Sequence, residues 1–174
     1  MTPPRDVSRD LLRGADGLGH EARASRSDHA ALKLWLRLLS CTTQIEVEIR
    51  RRLRARFGIS LPRFDYMAQL YRHPEGLRMK ALSQCLMVTG GNVTVLTDEL
   101  QNEDLVQRQS DPSDRRSWRV CLTPKGRHAF ESMAREHEGW VLEVFASLEP
   151  AALQHLHQTL GSLRVHLLQL HLSS

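Results

Sequence analysis

Two arginines, Arg115 and Arg116, stand in the stretch Ser110-Asp111-Pro112-Ser113-Asp114-Arg115-Arg116-Ser117, whose Asp, Pro and Ser residues favour a turn. Guanidinium groups presented at a loop tip can enter a narrow minor groove, where the potential is most negative. Asp114 can hold one of them in place by a bidentate pair. Upstream, Thr89, Asn92, Thr94, Thr97 and Asp98 are short polar side chains able to meet base edges or phosphates at close range. Gly90 and Gly91 beside them permit close backbone approach where a helix N-terminus offers free amides and the positive end of its dipole.

Other chemistries find no comparable residue set. There is no nucleophile elbow, phosphate loop or His-Glu-x-x-His motif, and no Ser-His-Asp set that spacing alone justifies, so no enzyme is expected. Of the nine histidines, His155, His157, His166 and His171 share the last helix. Neighbours two apart point to different faces and His166 lies three turns from His155, so they make no compact ligand set; no metal and no cofactor are expected. Cys41, Cys85 and Cys121 include no CxxC pair, which supports neither a disulfide framework nor a zinc ribbon. Cys41 lies on an apolar stripe and reads as a packed thiol, while Cys121 has no neighbouring cysteine to resolve an oxidised form.

Elements of particular kinds must position these residues. Residues 1–27 mix Pro, Gly, Ser, Asp and Arg with few apolar side chains, the composition of a flexible tail. Residues 28–58 predict a long first helix: Asp28 can N-cap it, and Ala31, Leu34, Leu38, Cys41, Ile45, Ile49 and Leu53 recur every three or four positions. Leu32, Leu36, Leu39, Thr43 and Val47 add a second stripe, so more than one face must be covered; Gly58 is placed to end the helix.

Residues 59–123 break into shorter pieces. Helices are expected from Pro62 to about Tyr71, from Met79 to Leu86, and from an N-cap at Thr89 through Leu100, with the His73-Pro74-Glu75-Gly76 turn after the first. Strands follow at Leu105–Gln109 and Trp118–Leu122, the second with Trp118, Val120 and Leu122 on one face. Residues 124–174 predict two long helices, one entered through Thr123 and Pro124 and one carrying Leu153, Leu156, Leu160, Leu163, Leu167 and Leu170. The fold class is therefore mainly α with a small β-wing: a winged helix-turn-helix core flanked by long N- and C-terminal helices.

The 174 residues carry a net charge of +4, too small a total to decide anything. Along the chain it is uneven: residues 48–59 hold five arginines against one acid, and residues 128–174 hold five acids against two arginines. A basic middle suits a polyanion and an acidic end another task, such as self-association. Arg50, Arg51, Arg52, Arg54 and Arg56 cannot all face one way, so either two of them meet phosphate or the group solvates a surface. The uncharged run Pro150–Leu163 is too short to span a bilayer, and no apolar segment follows the first basic residue; a soluble cytoplasmic protein with no membrane partner is expected.

The segment Asp111-Pro112-Ser113-Asp114-Arg115-Arg116-Ser117-Trp118-Arg119-Val120-Cys121-Leu122-Thr123-Pro124-Lys125-Gly126 closely resembles the wing signature of MarR-family transcriptional regulators. Leu82-Ser83, Gly91-Asn92-Val93-Thr94 through Leu100, Leu105-Val106 and Arg108 resemble the family's helix-turn-helix. The resemblance implies a homodimer whose first and last helices interlock and whose two lobes bind a pseudo-palindromic operator on double-stranded DNA. It implies a DNA-contacting set of Ser83, Thr89, Asn92, Thr94, Thr97, Arg115 and Arg116, with Asp114 as organiser of the wing. It also implies a repressor relieved by a small aromatic acid or its coenzyme A thioester, in a pocket bordered by Trp35, Leu39, Thr43, Arg63, Tyr66 and Met67; these residues can equally be plain core and surface. A metal- or thiol-responsive trigger is the alternative. One departure is Asp104, where relatives usually carry Gly at the end of the recognition helix; Asp can adopt the left-handed conformation at a cost Gly avoids.

Overall fold

The structure, a computed structural model, describes residue 20 and residues 29–86, 89–111 and 114–172; of residues 114–116, 171 and 172 only the backbone is described. The expected tail, residue 20 aside, and Asp28 lie outside this set. Two compact units divide between Leu61 and Pro62.

In the first unit the apolar period winds a single helix, α1 (Ala30–Phe57), with His29 rather than Asp28 at the N-cap position. Gly58, at φ 67°, ends it in the left-handed conformation and donates its N–H to Arg54 O at 3.0 Å, the geometry for which glycine is favoured. Leu36, Ile49 and Leu53 are buried, whereas Leu32, Leu34, Trp35 and Val47 are exposed. Both apolar stripes are thus uncovered in part, the first at Leu34 and Cys41 and the second at Leu32 and Val47.

The second unit takes in α2 (Leu61–Arg72) from its second residue, followed by β1 (Leu77–Arg78), α3 (Met79–Leu86) and α4 (Gly90–Asn102). The strands β2 (Val106–Asp111) and β3 (Asp114–Leu122) form a hairpin, and β1 joins it to give an antiparallel sheet in the order β1-β3-β2. Register runs from Val106 opposite Leu122 to Asp111 opposite Asp114, with an irregularity between Ser110 and Asp111. The core of this unit gathers Phe64, Tyr66, Met67 and Leu70 of α2 with Leu82, Val93, Leu100, Val106 and Val120. Two longer helices complete it: α5 (Pro124–Phe145), which buries Phe130 and Met133, and α6 (Pro150–Leu172). Phe64, Tyr71, Phe130 and His137 stack between α2 and α5 at centroid separations of 4.8–5.4 Å. On α6 the row Leu153, Leu156, Leu160, Leu163, Leu167 and Leu170 is exposed along its length.

The sheet differs from expectation in two ways. β1 was not foreseen, because two residues are too few for periodicity to register and only pairing with Val120 and Arg119 defines them. The hairpin also extends nearer its tip than the strands read from the sequence, and its second strand begins at Asp114. Ser110 and Asp111 are held in extended conformation by pairing with Trp118 and Asp114, and Asp114, Arg115 and Arg116 belong to β3 rather than to a free loop.

Candidate nucleic-acid interface

The recognition helix α4 presents two faces of different character. Its first turn begins after Thr89, whose carbonyl accepts from Val93 N–H at 3.2 Å but whose side chain makes no capping bond. Thr89, Asn92 and Thr94 are all exposed, and Thr94 Oγ1 donates to Gly90 O at 3.1 Å. A Cβ at Gly90 or Gly91 would meet open space. This end therefore offers backbone amides, short polar groups and room for a phosphate to approach. Ser83, on α3, is half-buried and already engaged in an interaction.

Thr97 corrects the sequence reading. It is fully buried, its hydroxyl donates to Val93 O at 2.7 Å, and it lies 2.5 Å from the Tyr66 hydroxyl. With its proton committed to Val93, it accepts from Tyr66. Val93, Thr97 and Leu100 fall at successive helical intervals on the inner face, so Thr97 belongs to the core and cannot reach a base edge. Periodicity could have revealed this; the polar type of the residue obscured it. Asp98 does point outward, but Arg108 of β2 pairs with it at 2.5 Å and donates to Gln101 Oε1 at 2.7 Å. One arginine thus ties the first wing strand to the recognition helix and offsets a carboxylate that would repel phosphate.

The C-terminal end of α4 is closed by a set of directed bonds. Asp104 adopts φ 59°, Leu105 N–H reaches back to Leu100 O at 2.9 Å and Asp104 N–H to Gln101 O at 3.0 Å, a Schellman arrangement. The three carbonyls that follow are each taken by the Thr-Pro-Lys-Gly segment: Lys125 Nζ donates to Glu103 O at 2.7 Å, Thr123 Oγ1 to Asp104 O at 2.7 Å, and Thr123 N–H to Leu105 O at 3.1 Å. Thr123 also accepts from Gly126 N–H at 2.9 Å, capping α5. A Cβ on Gly126 would lie 1.9 Å from Leu105 O, so only glycine permits this approach. The expected strain at Asp104 is therefore present as a left-handed backbone, without displacement of the helix end.

At the last paired position of the hairpin, opposite Asp114, Asp111, read from the sequence as a turn residue, is buried, its side chain completely so. Arg78 Nε of β1 donates to its Oδ2 at 2.6 Å and Arg119 Nε of β3 lies 3.1 Å from the same oxygen. A buried carboxylate requires such partners, and here one carboxylate joins all three strands. Sequence reasoning missed it because Arg78 is 33 positions away. Trp118, assigned to the apolar face with Val120, is 54% exposed, since that face runs beyond the core towards the tip.

The remaining candidates separate by unit. In α1, Trp35 and Thr43 are exposed and Leu39 is half-buried. Three arginines of that helix are engaged along its own surface, Arg50 with Glu46 and both Arg51 and Arg52 with Glu48; hydrogen bonds from Arg51 and then Arg52 hold the Glu48 carboxyl down to about 2. For these three the solvated-surface reading fits better than phosphate contact. In α2, Tyr66 and Met67 have no exposed surface, which corrects their expected place on a pocket wall: both fill the core, and burial pushes the Tyr66 phenol up to about 12. Arg63 of the same helix pairs with Glu103 at 2.5 Å. Burial raises the Cys121 thiol above its ordinary range, which makes that cysteine a poor thiolate nucleophile. Among the described residues no group of His, Cys, Asp and Glu is placed to hold a metal ion, and no helix is long and apolar enough to cross a membrane.

A helix-turn-helix with an open-ended recognition helix and a three-stranded wing is the architecture of a winged-helix DNA-binding protein. A sequence model of the MarR family matches residues 57–117. The transcriptional activatory protein BadR of Rhodopseudomonas palustris is 30% identical over 122 residues, covering 67% of this chain and 69% of BadR. A MarR family transcriptional regulator from Silicibacter pomeroyi superposes with a TM-score of 0.66 at 30% identity, over 84% of this chain and 99% of that one. CouR from Rhodococcus jostii RHA1, solved with p-coumaroyl-CoA bound, shares the fold with a TM-score of 0.68 at 19% identity, over 79% of this chain and 95% of CouR. The curated relatives are matched over 65–70% of their own length. The chain belongs to the MarR family and is a DNA-binding transcriptional regulator, not an enzyme.

Proposed function

We propose that the protein acts in the cytoplasm as a homodimeric repressor of a pseudo-palindromic operator, and that a small aromatic acid or its coenzyme A thioester relieves repression. The observation that carries the DNA half of this reading is the exposed first turn of α4, with Thr89, Asn92 and Thr94 uncovered and the Thr89 side chain making no capping bond. Such a turn docks at the edge of the major groove with Ser83 as a further DNA contact, while Arg115 and Arg116 meet the adjacent minor groove with Asp114 as their organiser. The leucine row of α6 and the exposed Leu32, Leu34, Trp35 and Val47 of α1 support self-association, because apolar surface of this extent is costly to leave in water. Two lobes related by a two-fold axis then read half-sites about 10 bp apart.

The effector reading draws on two features. The indole of Trp35 is exposed and can stack on a ring, and the Arg63 guanidinium can pair with a carboxylate. CouR, with its p-coumaroyl-CoA, supports an aromatic thioester within this fold. An effector that favours the DNA-incompetent arrangement weakens operator binding, and DNA weakens effector binding by the same factor.

A mobility-shift titration across salt concentrations tests the DNA half: Arg116→Ala lowers affinity and makes its salt dependence shallower by about one unit of slope. Binding identical to the parent at every salt concentration rules out the wing contact. Sedimentation of the full chain tests the dimer, and a thermal-shift screen with aromatic acids and their thioesters tests the effector class.

A further inference from the structure

Glu103 occupies a distinctive place in the second unit. It is the C-cap of the recognition helix, its carbonyl is held by Lys125 at the start of α5, and its side chain reaches Arg63 on α2. Three helices thus meet at one residue. The Asp104 turn and the first wing strand follow directly, so a displacement of Glu103 is felt by both elements that face DNA.

The hold exerted by Arg63 is incomplete. Its side chain is only 16% exposed while the Glu103 carboxylate is 52% exposed, and Nη2 lies 2.5 Å from Oε2. The buried Nε and Nη2 protons of Arg63 find no aligned hydrogen-bond acceptor. A guanidinium presents Nε–H and Nη–H side by side, the geometry that a planar carboxylate satisfies with two parallel bonds. Glu103, tethered by its backbone to Lys125 and to the turn, does not reach that position. A small carboxylate without such a tether can.

We propose that Arg63 is a ligand-exchangeable latch: in the free protein it holds Glu103 and with it the end of the recognition helix, and a small-molecule carboxylate that takes up both guanidinium donors displaces Glu103 and releases that end. The inference rests on the effector reading above and assigns it a regulatory step. Arg63 contacts the ligand; Glu103 is a positioning residue that competes for the same guanidinium. The exchange trades one ion pair for another of better geometry, so the free energy of ligand binding is coupled to the position of α4.

A double-mutant cycle in the 174-residue chain tests the latch. DNA affinity is measured for Arg63→Gln, Glu103→Gln and the double variant on one operator fragment, with thermal melting of each variant as a check of folding. Each single change is expected to weaken binding by about threefold, and the double by no more than either alone. Benzoate and its uncharged analogue benzamide then probe the exchange. Glu103→Gln, which removes the competitor, is expected to bind benzoate about threefold more tightly, while Arg63→Gln loses benzoate binding. Arg63→Lys keeps the charge but not the fork and binds benzoate more weakly than the parent, and benzamide leaves all variants unaffected. A residue with a merely structural role would lower benzoate affinity in both single variants. Additive losses in the cycle, no loss in either single variant, or benzoate affinity falling alike in both overturn the latch. Benzoate that neither binds nor shifts DNA affinity in any chain, with the cycle still coupled, overturns the aromatic-acid reading and keeps the latch.

Discussion

The two ends of the recognition helix are built on opposite rules. At the N-terminal end Thr89 leaves its side chain uncommitted to the cap, Gly90 and Gly91 face open space, and Asn92 and Thr94 are exposed. At the C-terminal end three successive carbonyls are each matched by a donor, the chain turns through a left-handed residue, and Gly126 packs against the backbone of Leu105. The difference follows from what each end must meet. Unused amides suit an anion that arrives from outside, whereas a helix that presents them in a fixed direction needs an anchor elsewhere. Precision at the open end is supplied by the closed one.

Substitutions at the two ends separate these roles. Gly126→Ala drives a Cβ into Leu105 O and is expected to lower stability by about 2–4 kcal/mol in urea unfolding. Gly91→Ala, at the open end, is expected to hold or raise stability by up to about 1 kcal/mol, because alanine is the better helix former, while weakening DNA binding. A Gly126→Ala chain as stable as the parent removes the basis for the anchor. Between the ends, Thr97→Val deprives the Tyr66 hydroxyl of its acceptor and is expected to cost about 1–3 kcal/mol, with DNA affinity falling only through the fold. A selective loss of base discrimination in that variant would return Thr97 to the groove.

Titration of Tyr66 gives the same inner face a pH signature. Its pKa is raised from 10.0 in the unfolded chain to about 12 in the fold, chiefly by burial. Between those values the unfolded chain releases a proton that the folded one retains, so stability present below pH 10 is lost as pH rises towards 12. Tyr66→Phe is expected to flatten that alkaline limb relative to the parent. At the closed end, Asp104→Gly relieves the left-handed backbone and is expected to stabilise by about 1 kcal/mol; a loss of stability would mean that the aspartate side chain supports the turn. The smallest effect belongs to the exposed ladder of α1, where Glu48→Gln is expected to leave the melting temperature unchanged, because solvent screens such pairs.

How much was legible depended on the distance over which a residue finds its partner. Helices with sustained periods are legible to within a residue or two, residues 28–58 against Ala30–Phe57, Pro62 to about Tyr71 against Leu61–Arg72 and Met79 to Leu86 as observed, because the signal is local and repeated. The Thr123-Pro124-Lys125-Gly126 segment was recognisable as a helix entry, yet its service as the clamp on α4 was not, since Glu103 and Asp104 lie about twenty residues upstream and no pattern links them. Asp111 looked like a turn residue for the same reason. Tyr66 and Met67 were assigned to a pocket by resemblance, while helical phase alone would have placed them with Leu70 in the core.

The sequence by itself determined the kinds of element, the winged helix-turn-helix and the family, because apolar periodicity, turn chemistry and the wing signature are written in neighbouring residues. Only the tertiary structure decided that Thr97 faces inward, that Asp111 binds three strands, and that the recognition helix is open at one end and locked at the other. Those features are made by directed bonds and close contacts between residues far apart in the chain, and a one-dimensional pattern carries no term for them.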